Sequence, residues 1–429
     1  MHANLHILPV MIIDLVKNAG DIQVLSEKAK SNRGQMTVGR SNSHIHLPPN
    51  FSAFDTIEEA VKMAAAEKMN AVGVSNYYYH EVYADFSQLA AKVGIFPLYG
   101  IEVIALLDEY IKSGKRINDH GNPGRIYICG KGITMFEKLT PVAQKYMDLI
   151  RSSDTKRMMD MAAKIDHIFH AGGFDPALSD KEVVRRVVKR HNVRAEYVVL
   201  QERHLAQAFQ EVIFERLDVS QRQKLFNAVF GEELKKPDDA VQVQGEIRSR
   251  MMKAGRPAFI KEEFVSFAEA FTLILELGGI PCYPTLADGA SKLCEFEEPV
   301  DELVKRLKTM NIHMAEVIPM RNEPAVLEKY VKALRGAGIV VVAGTEHNTL
   351  DKIPIEPTCK AGVSVPESLK PIFWEGACVV AAHQFKKVNG QDGFVDSKGV
   401  PDSAFANSED RIKFYSTLGS LVIEGFGKR

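Results

Sequence analysis

Hydrophobic and polar positions begin to recur regularly at Met36. The segment MTVGRSNSHIH predicts a strand, and Asp55 to Lys68 predicts an amphipathic helix in which Ile57, Ala60, Val61 and Ala64 return at three- and four-residue intervals. Acids in its first turn, DTIEE, suit the positive end of a helix dipole. NAVGVSN then predicts a second strand, Val82 to Val93 a second helix, and IFPLYGIEVIAL a third strand. Strands alternating with helices in this way imply a parallel sheet or barrel.

A short strand, RIYICGK, precedes a change of character: from about Phe136 to Met252 the pattern is almost continuously helical and dense in Arg, Lys, Glu and Met. Alternation then resumes. Phe267 to Leu277 predicts a helix, GGIPCYP a strand, PVDELVKRLKTM a helix, HMAEVIP a strand, EPAVLEKYVKALRGAG a helix and IVVVAGTE a strand. This order predicts an α/β body, a parallel sheet or barrel, made of two chain segments, 37–131 and 256–429, a helical insertion over 132–255, and an N-terminal extension over 1–36. The stretch LHILPVMIIDLV in that extension predicts a short strand or helix, because it lacks a basic leader and a small-residue cleavage site and contains Pro9 and Asp14.

Bulk properties exclude several classes of function. The 429 residues carry 54 Lys and Arg against 55 Asp and Glu, a formal charge of -1, so no field for nucleic acid or an anionic membrane is expected. No run approaches the roughly 20 apolar residues of a membrane span. Five scattered cysteines without CxxC spacing suggest neither a disulfide framework nor a zinc ribbon, and fit a reducing cytoplasm. GxGxxG and P-loop patterns are absent from the sequence. No feature assigns an oligomeric state.

Chemistry concentrates where strands end. His44-Ile45-His46 closes the first strand; residues two apart in a strand share a face, so both imidazoles converge, as a divalent cation needs, although a bare HxH also describes two solvated loop histidines. Gly100-Ile101-Glu102 and Gly344-Thr345-Glu346-His347 occupy later strand ends. In parallel α/β barrels the C-terminal strand ends face one mouth. Two imidazoles with two carboxylates make a nitrogen and oxygen set for zinc, manganese or iron. His167 and His170, three apart on a predicted helix, find no acid to complete a site and read as solvated.

The order HIH, SNYYYH, GIE, GGIPCYPT, AEVIPMRN and GTEHNT resembles the PHP (polymerase and histidinol phosphatase) superfamily, whose pattern runs DxHxH, TDH, GxE, AHP, an acidic strand and GSDxH. Within the insertion, ERHLAQAF, GRPAFI and SFAEAFTLILELGGIP are similar to the helical insert of bacterial PHP phosphatases acting on small phosphorylated compounds. The resemblance implies a distorted (β/α)7 barrel of PHP type with a helical insertion. Several family ligands are exchanged: Asn42 for the first aspartate, Ser75, Asn76 and Tyr77 for TDH, Tyr127 for a histidine after GxE, Tyr283 for the AHP histidine, and Glu346 and Asn348 in GSDxH. Neutral Asn and Tyr coordinate first-row cations poorly. One metal where the family holds three is therefore expected, on His44, His46, Glu102 and Glu346, with His80 or His347 as substitutes for lost ligands.

The resemblance further implies a hydrolase of a small phosphorylated metabolite, nucleotide-like or a sugar phosphate. His204, matching the histidine of the family's insert, is expected to reach over the mouth to bind phosphate or protonate the leaving oxygen; a helix-surface position is the alternative. Arg203 and Arg321 are expected to anchor the anion, and His347, Tyr77 and Tyr283 to line the same cavity. Two other readings stand beside it: a diverged relative that binds a phosphorylated ligand without catalysis, and a barrel hydrolase of the amidohydrolase class, which also begins with HxH but brings a lysine bridge.

Overall fold

The computed structural model describes residues 12–31, 36–261, 264–290 and 293–428. Its centre is one sheet with strands in the order β1 (Ser41–Ile45), β2 (Ala71–Val74), β3 (Phe96–Leu106), β4 (Arg125–Lys131), β6 (Ile280–Thr285), β7 (Met314–Val317) and β8 (Val340–Ala343), with the two-residue β5 (Val265–Ser266) beside β3. These seven strands curl into a nearly closed barrel, the fold that the family resemblance implied. Closure between first and last strands is made by backbone bonds just beyond β8: His46 N donates to Glu346 O at 2.8 Å and Glu346 N to His44 O at 2.8 Å.

One strand breaks the parallel pattern. β4 runs antiparallel to both β3 and β6. The chain between β3 and β4 holds a single short helix, Asp108–Ser113, and returns as a broad hairpin instead of crossing over the sheet. A parallel neighbour needs a crossover of a dozen or more residues, usually built on a longer helix.

The flanking helices form for local reasons the sequence displays. Ile57–Ala66 is capped by the Thr56 side chain, which accepts from Glu59 N, and buries Ala60, Val61 and Ala64. Phe267–Glu276 starts with a reciprocal Ser266 and Glu269 capping box and buries Ala270, Leu273 and Ile274. Lys370–Val388 and Ser408–Gly427 pack so closely that a Cβ on Gly419 would lie 1.8 Å from Cys378 O, which excludes any larger residue there. The extension contributes helices Ile12–Lys17 and Ile22–Ser31, whose Val16 and Ala29 join the barrel core; Leu5 to Met11 of its apolar stretch lie outside the described residues.

The helical segment has its own apolar core, running from Met158 to Ala258. The long helix Pro141–Ala171 serves both bodies: Ala143, Met147 and Ile150 belong to the barrel core, whereas Met158 to Phe169 belong to the second. At 1.5 Å per residue its 31 residues span about 46 Å, enough to cross from one to the other.

Candidate functional site

His44 and His46 leave β1 on the same side and are both buried. Glu102 reaches them from β3, held in place by a bridge between the Tyr77 and Glu102 backbones. Its Oε2 lies 3.3 Å from His46 Nε2 and 3.7 Å from His44 Nε2. The ligand-type atoms of these three residues lie within 4.8 Å of one another. His44 Nε2, both His46 ring nitrogens and Glu102 Oε2 are buried with no hydrogen-bond partner. An unsatisfied buried polar atom costs about 1–3 kcal/mol, so their convergence fits a cation that would satisfy them together. Burial lowers the pKa of His46, which favours the neutral imidazole a cation requires.

Glu346 stands apart from this cluster. Its Oε2 accepts from Arg321 and from Asn348 Nδ2, and although burial acts to raise its pKa, Arg321 and the two histidines hold it below the usual carboxylate range. Of the four ligands the sequence suggested, three converge and the fourth is an anchor for arginine. Glu346 and His347 both sit at positive φ, 59° and 53°, a conformation costly for non-glycine residues that recurs at functional sites.

The expected substitutes for lost ligands are used otherwise. His347 places Nδ1 2.7 Å from Thr345 Oγ1 and Nε2 3.0 Å from Ile353 O, so both ring nitrogens are committed, and its ring stacks on Phe54. His80 is buried among Tyr83 and Phe136, and burial takes its pKa down to about 3. His204 caps its own helix, Nδ1 accepting from Gln201 N at 3.1 Å, and packs on Phe51; burial takes it to about 3 as well. None of these three histidines lines a cavity described below. Tyr283 does not either: strand alternation turns it outward, where its hydroxyl donates to Glu297 Oε1 at 2.9 Å, while its neighbour Cys282 faces the barrel interior.

Asn42 and Asn76, which stand where the family pattern has aspartate, hold backbone. Asn42 Oδ1 accepts from His44 N at 2.9 Å, and its Nδ2 donates to Thr345 Oγ1 and Ile355 O. Asn76 makes a two-way pair with Leu47, 2.8 and 3.0 Å. Both residues thus fix the strand ends that present His44 and His46.

A cavity of about 630 Å³ opens from Glu102 towards the helical segment. Barrel residues Tyr77, Tyr127, Arg125, Arg321 and Glu346 form one side, and Arg203, Arg248, Ser249 and Lys253 the other. A smaller space of about 140 Å³ continues along Phe51, Tyr78, Ile104, Met158 and Leu200. The Tyr77 ring stacks on His46 with centroids 5.2 Å apart, and burial, then Glu102, pushes its phenol well above the ordinary range, so it remains a neutral donor. Most cations here are matched: Arg125 with Asp119, Lys253 with Glu202, Arg321 with Glu346. Arg203 is the exception, with one long bond to Asn348 Oδ1 at 3.5 Å, a position over the Phe51 ring, and no carboxylate within ion-pair distance among the described residues. Burial, then Arg248, takes its pKa down to about 10.

Behind His44 lies a second buried group whose pairing the motif reading did not foresee. Glu316 on β7 accepts from His44 Nδ1 at 2.8 Å and from Lys131 Nζ at 2.7 Å. Burial acts to raise Glu316, yet Lys131 and His44 hold it down to about 2. For Glu316 the sequence signal was the strand AEVIPMRN, matched to the acidic strand of the family pattern; for Lys131 it was a charged residue inside the apolar run RIYICGK. Lys131 is a lysine inside the barrel, but as a salt-bridged ammonium it is not the bridging lysine of the amidohydrolase class.

The comparison with solved structures gives this geometry a context. A Bifidobacterium adolescentis protein provisionally described as a metal-dependent phosphoesterase superposes with a TM-score of 0.53 at 12% identity, over 79% of this chain and 96% of its own. The two proteins share a fold. An amidohydrolase from Chromobacterium violaceum, with sulfate bound and no metal, gives a TM-score of 0.49 at 15% identity over 75% of this chain and 93% of that one. No protein-family model matches the chain, and no curated protein sequence does. Among the described residues no helix is long and apolar enough to cross a membrane.

Proposed function

We propose that this chain is a metal-dependent hydrolase of a small phosphate monoester. The observation that carries the reading is a juxtaposition: Glu102 lines the cavity with the partnerless buried nitrogens of His44 and His46 directly behind its carboxylate, and Arg203, with no carboxylate within ion-pair distance among the described residues, lines the same cavity. One divalent cation, zinc, manganese or iron, would be held by His44, His46 and Glu102, leaving positions open as catalytic sites do. When bound, such a cation polarises a phosphoryl oxygen and lowers the pKa of water.

The protein's own groups supply recognition. Arg203 offers a planar fork of donors suited to phosphate oxygens, and Arg321 joins it once Glu346 yields its hold. Tyr77, a neutral phenol stacked on His46, donates towards the same space. The apolar continuation along Phe51, Ile104 and Leu200 receives the organic part of the ester, and the helical segment limits its size. A second reading, a binder without turnover, draws on the placement of His204 and His347: neither the imidazole expected to protonate the leaving oxygen nor the one expected to line the cavity is among its lining residues.

The test is elemental analysis of the purified full chain followed by a screen of phosphate monoesters and of amides. About one equivalent of metal, lost in His44→Ala and Glu102→Gln, with metal-dependent release of phosphate, is the expected result. No metal even after supplementation overturns the hydrolase reading; metal and phosphate binding without turnover of any ester favours the binder.

A further inference from the structure

Strand alternation sends Cys129 and Lys131 of β4 to the inside of the barrel, and Lys131 ends there buried. Its ammonium donates to Ser43 O at 2.9 Å, Ser75 Oγ at 3.1 Å and Glu316 Oε1 at 2.7 Å, one from each of three separate segments of the barrel wall. Glu316 offers its other oxygen to His44 Nδ1 and, at 3.6 Å, to Cys129 Sγ. An ionised carboxylate only accepts, so the His44 proton is on Nδ1 and the Nε2 lone pair points at Glu102 and His46.

We propose that Lys131 and Glu316 are positioning residues for the cation site: they fix the tautomer and the ring orientation of His44 and keep the inner carboxylate from becoming a metal site of its own. The first half follows from the hydrogen bonds, because a carboxylate behind a ligating imidazole sets which nitrogen is bare and makes it a better donor. The second half follows from what the ammonium displaces. His44, Cys129 and Glu316 form another group of ligand-type atoms within 4.8 Å, all buried, and Lys131 already supplies the positive charge there. Glu316 without it would be an unpaired buried carboxylate, a strongly unfavourable state that a divalent cation would relieve. The lysine therefore limits the barrel to one cation.

The inference rests on the cation site proposed above, and three measurements separate the two. In metal-free wild type, long-range proton–nitrogen correlation on ¹⁵N-histidine protein is expected to show His44 protonated at Nδ1; protonation at Nε2 overturns the relay without any variant. Calorimetric titration with Mn²⁺ or Zn²⁺ then compares wild type with the double variant Lys131→Met, Glu316→Gln, which removes both charges together and keeps the volume. Affinity is expected to fall by about 10- to 100-fold with folding retained. Binding by the double variant as tight as wild type overturns this inference alone, whereas no binding by wild type overturns the cation site. Finally, Lys131→Ala titrated with Co²⁺ is expected to take up a second equivalent showing a thiolate-to-cobalt absorption band from Cys129; one equivalent without that band overturns the excluding role.

Discussion

Replacing Arg203 by methionine sets ligand binding against stability. Burial, then Arg248, holds the guanidinium well below the ordinary arginine range, at about 10. At about 1.4 kcal/mol for each pH unit, keeping it charged in the ligand-free protein costs about 3 kcal/mol, an upper value because water in the cavity screens part of it. The folded value lies below the unfolded one, so the unfolded chain binds more protons from about pH 10 up to the ordinary arginine range. At neutral pH the whole cost is present, and it fades only as pH rises through that window. Methionine keeps apolar contact with Phe51 and removes the charge. The variant is expected to melt higher, by roughly 2 to 5 °C in scanning calorimetry without phosphate, taking about 2 °C or less per kcal/mol for a chain of this size. In the same variant, inorganic phosphate should bind roughly 10- to 150-fold more weakly, the loss of one charge-assisted hydrogen bond. A lower melting temperature, or unchanged phosphate affinity, refutes the view that this arginine waits for an anion.

Acid should unfold the protein early. His80, His204 and His383 are held near 3 and His347 near 4 by burial, all below 6.5, so each must charge on unfolding. Stability is full above pH 6.5 and is lost as pH falls, roughly 2 kcal/mol per histidine by pH 5; denaturant titrations across that range that give constant stability contradict it. His347→Ala breaks two buried hydrogen bonds and should cost about 2–4 kcal/mol in urea unfolding while the metal content stays at the wild-type level. Gly344→Ala should do the reverse, retaining the fold and losing metal in elemental analysis, since its Cβ would sit 2.4 Å from His44 Cβ. Glu346→Gln frees Arg321 from its carboxylate partner; phosphate affinity measured without metal is expected to rise several-fold, and a fall would show that Glu346 does not restrain Arg321.

The barrel was legible because its strands and helices obey different periods, and the bounds of β4, Arg125–Lys131, coincide with the apolar run read from sequence. The reversal of β4 was not, because direction depends on how the chain after Leu106 returns and period-two alternation is blind to it. At the site, HxH and GxE put His44, His46 and Glu102 together since each is fixed by a short local rule. His204, His80 and Tyr283 were assigned by motif position, and what decides their place is which side of a helix or strand the tertiary packing buries. Lys131 escaped notice because it belongs to no motif, and Glu316, although it is the acid of the strand matched to the family's acidic strand, was given no role; only the three-dimensional pairing makes the two charges a unit.

The seam of the barrel runs through the site itself. His46 and Glu346, joined by backbone hydrogen bonds, lie some three hundred positions apart along the chain. The ring can therefore close only after the chain has been made through Glu346, and the loop being closed is long enough to make this contact among the slowest to form. The proposed cation site would consequently be a late product of folding: nascent chains that stop short of Glu346 lack the strap that sets the spacing of His44 and His46. Metal retention would thus distinguish chains with a closed seam from fragments without one, and a cell could inspect the folded barrel by its metal rather than by its shape.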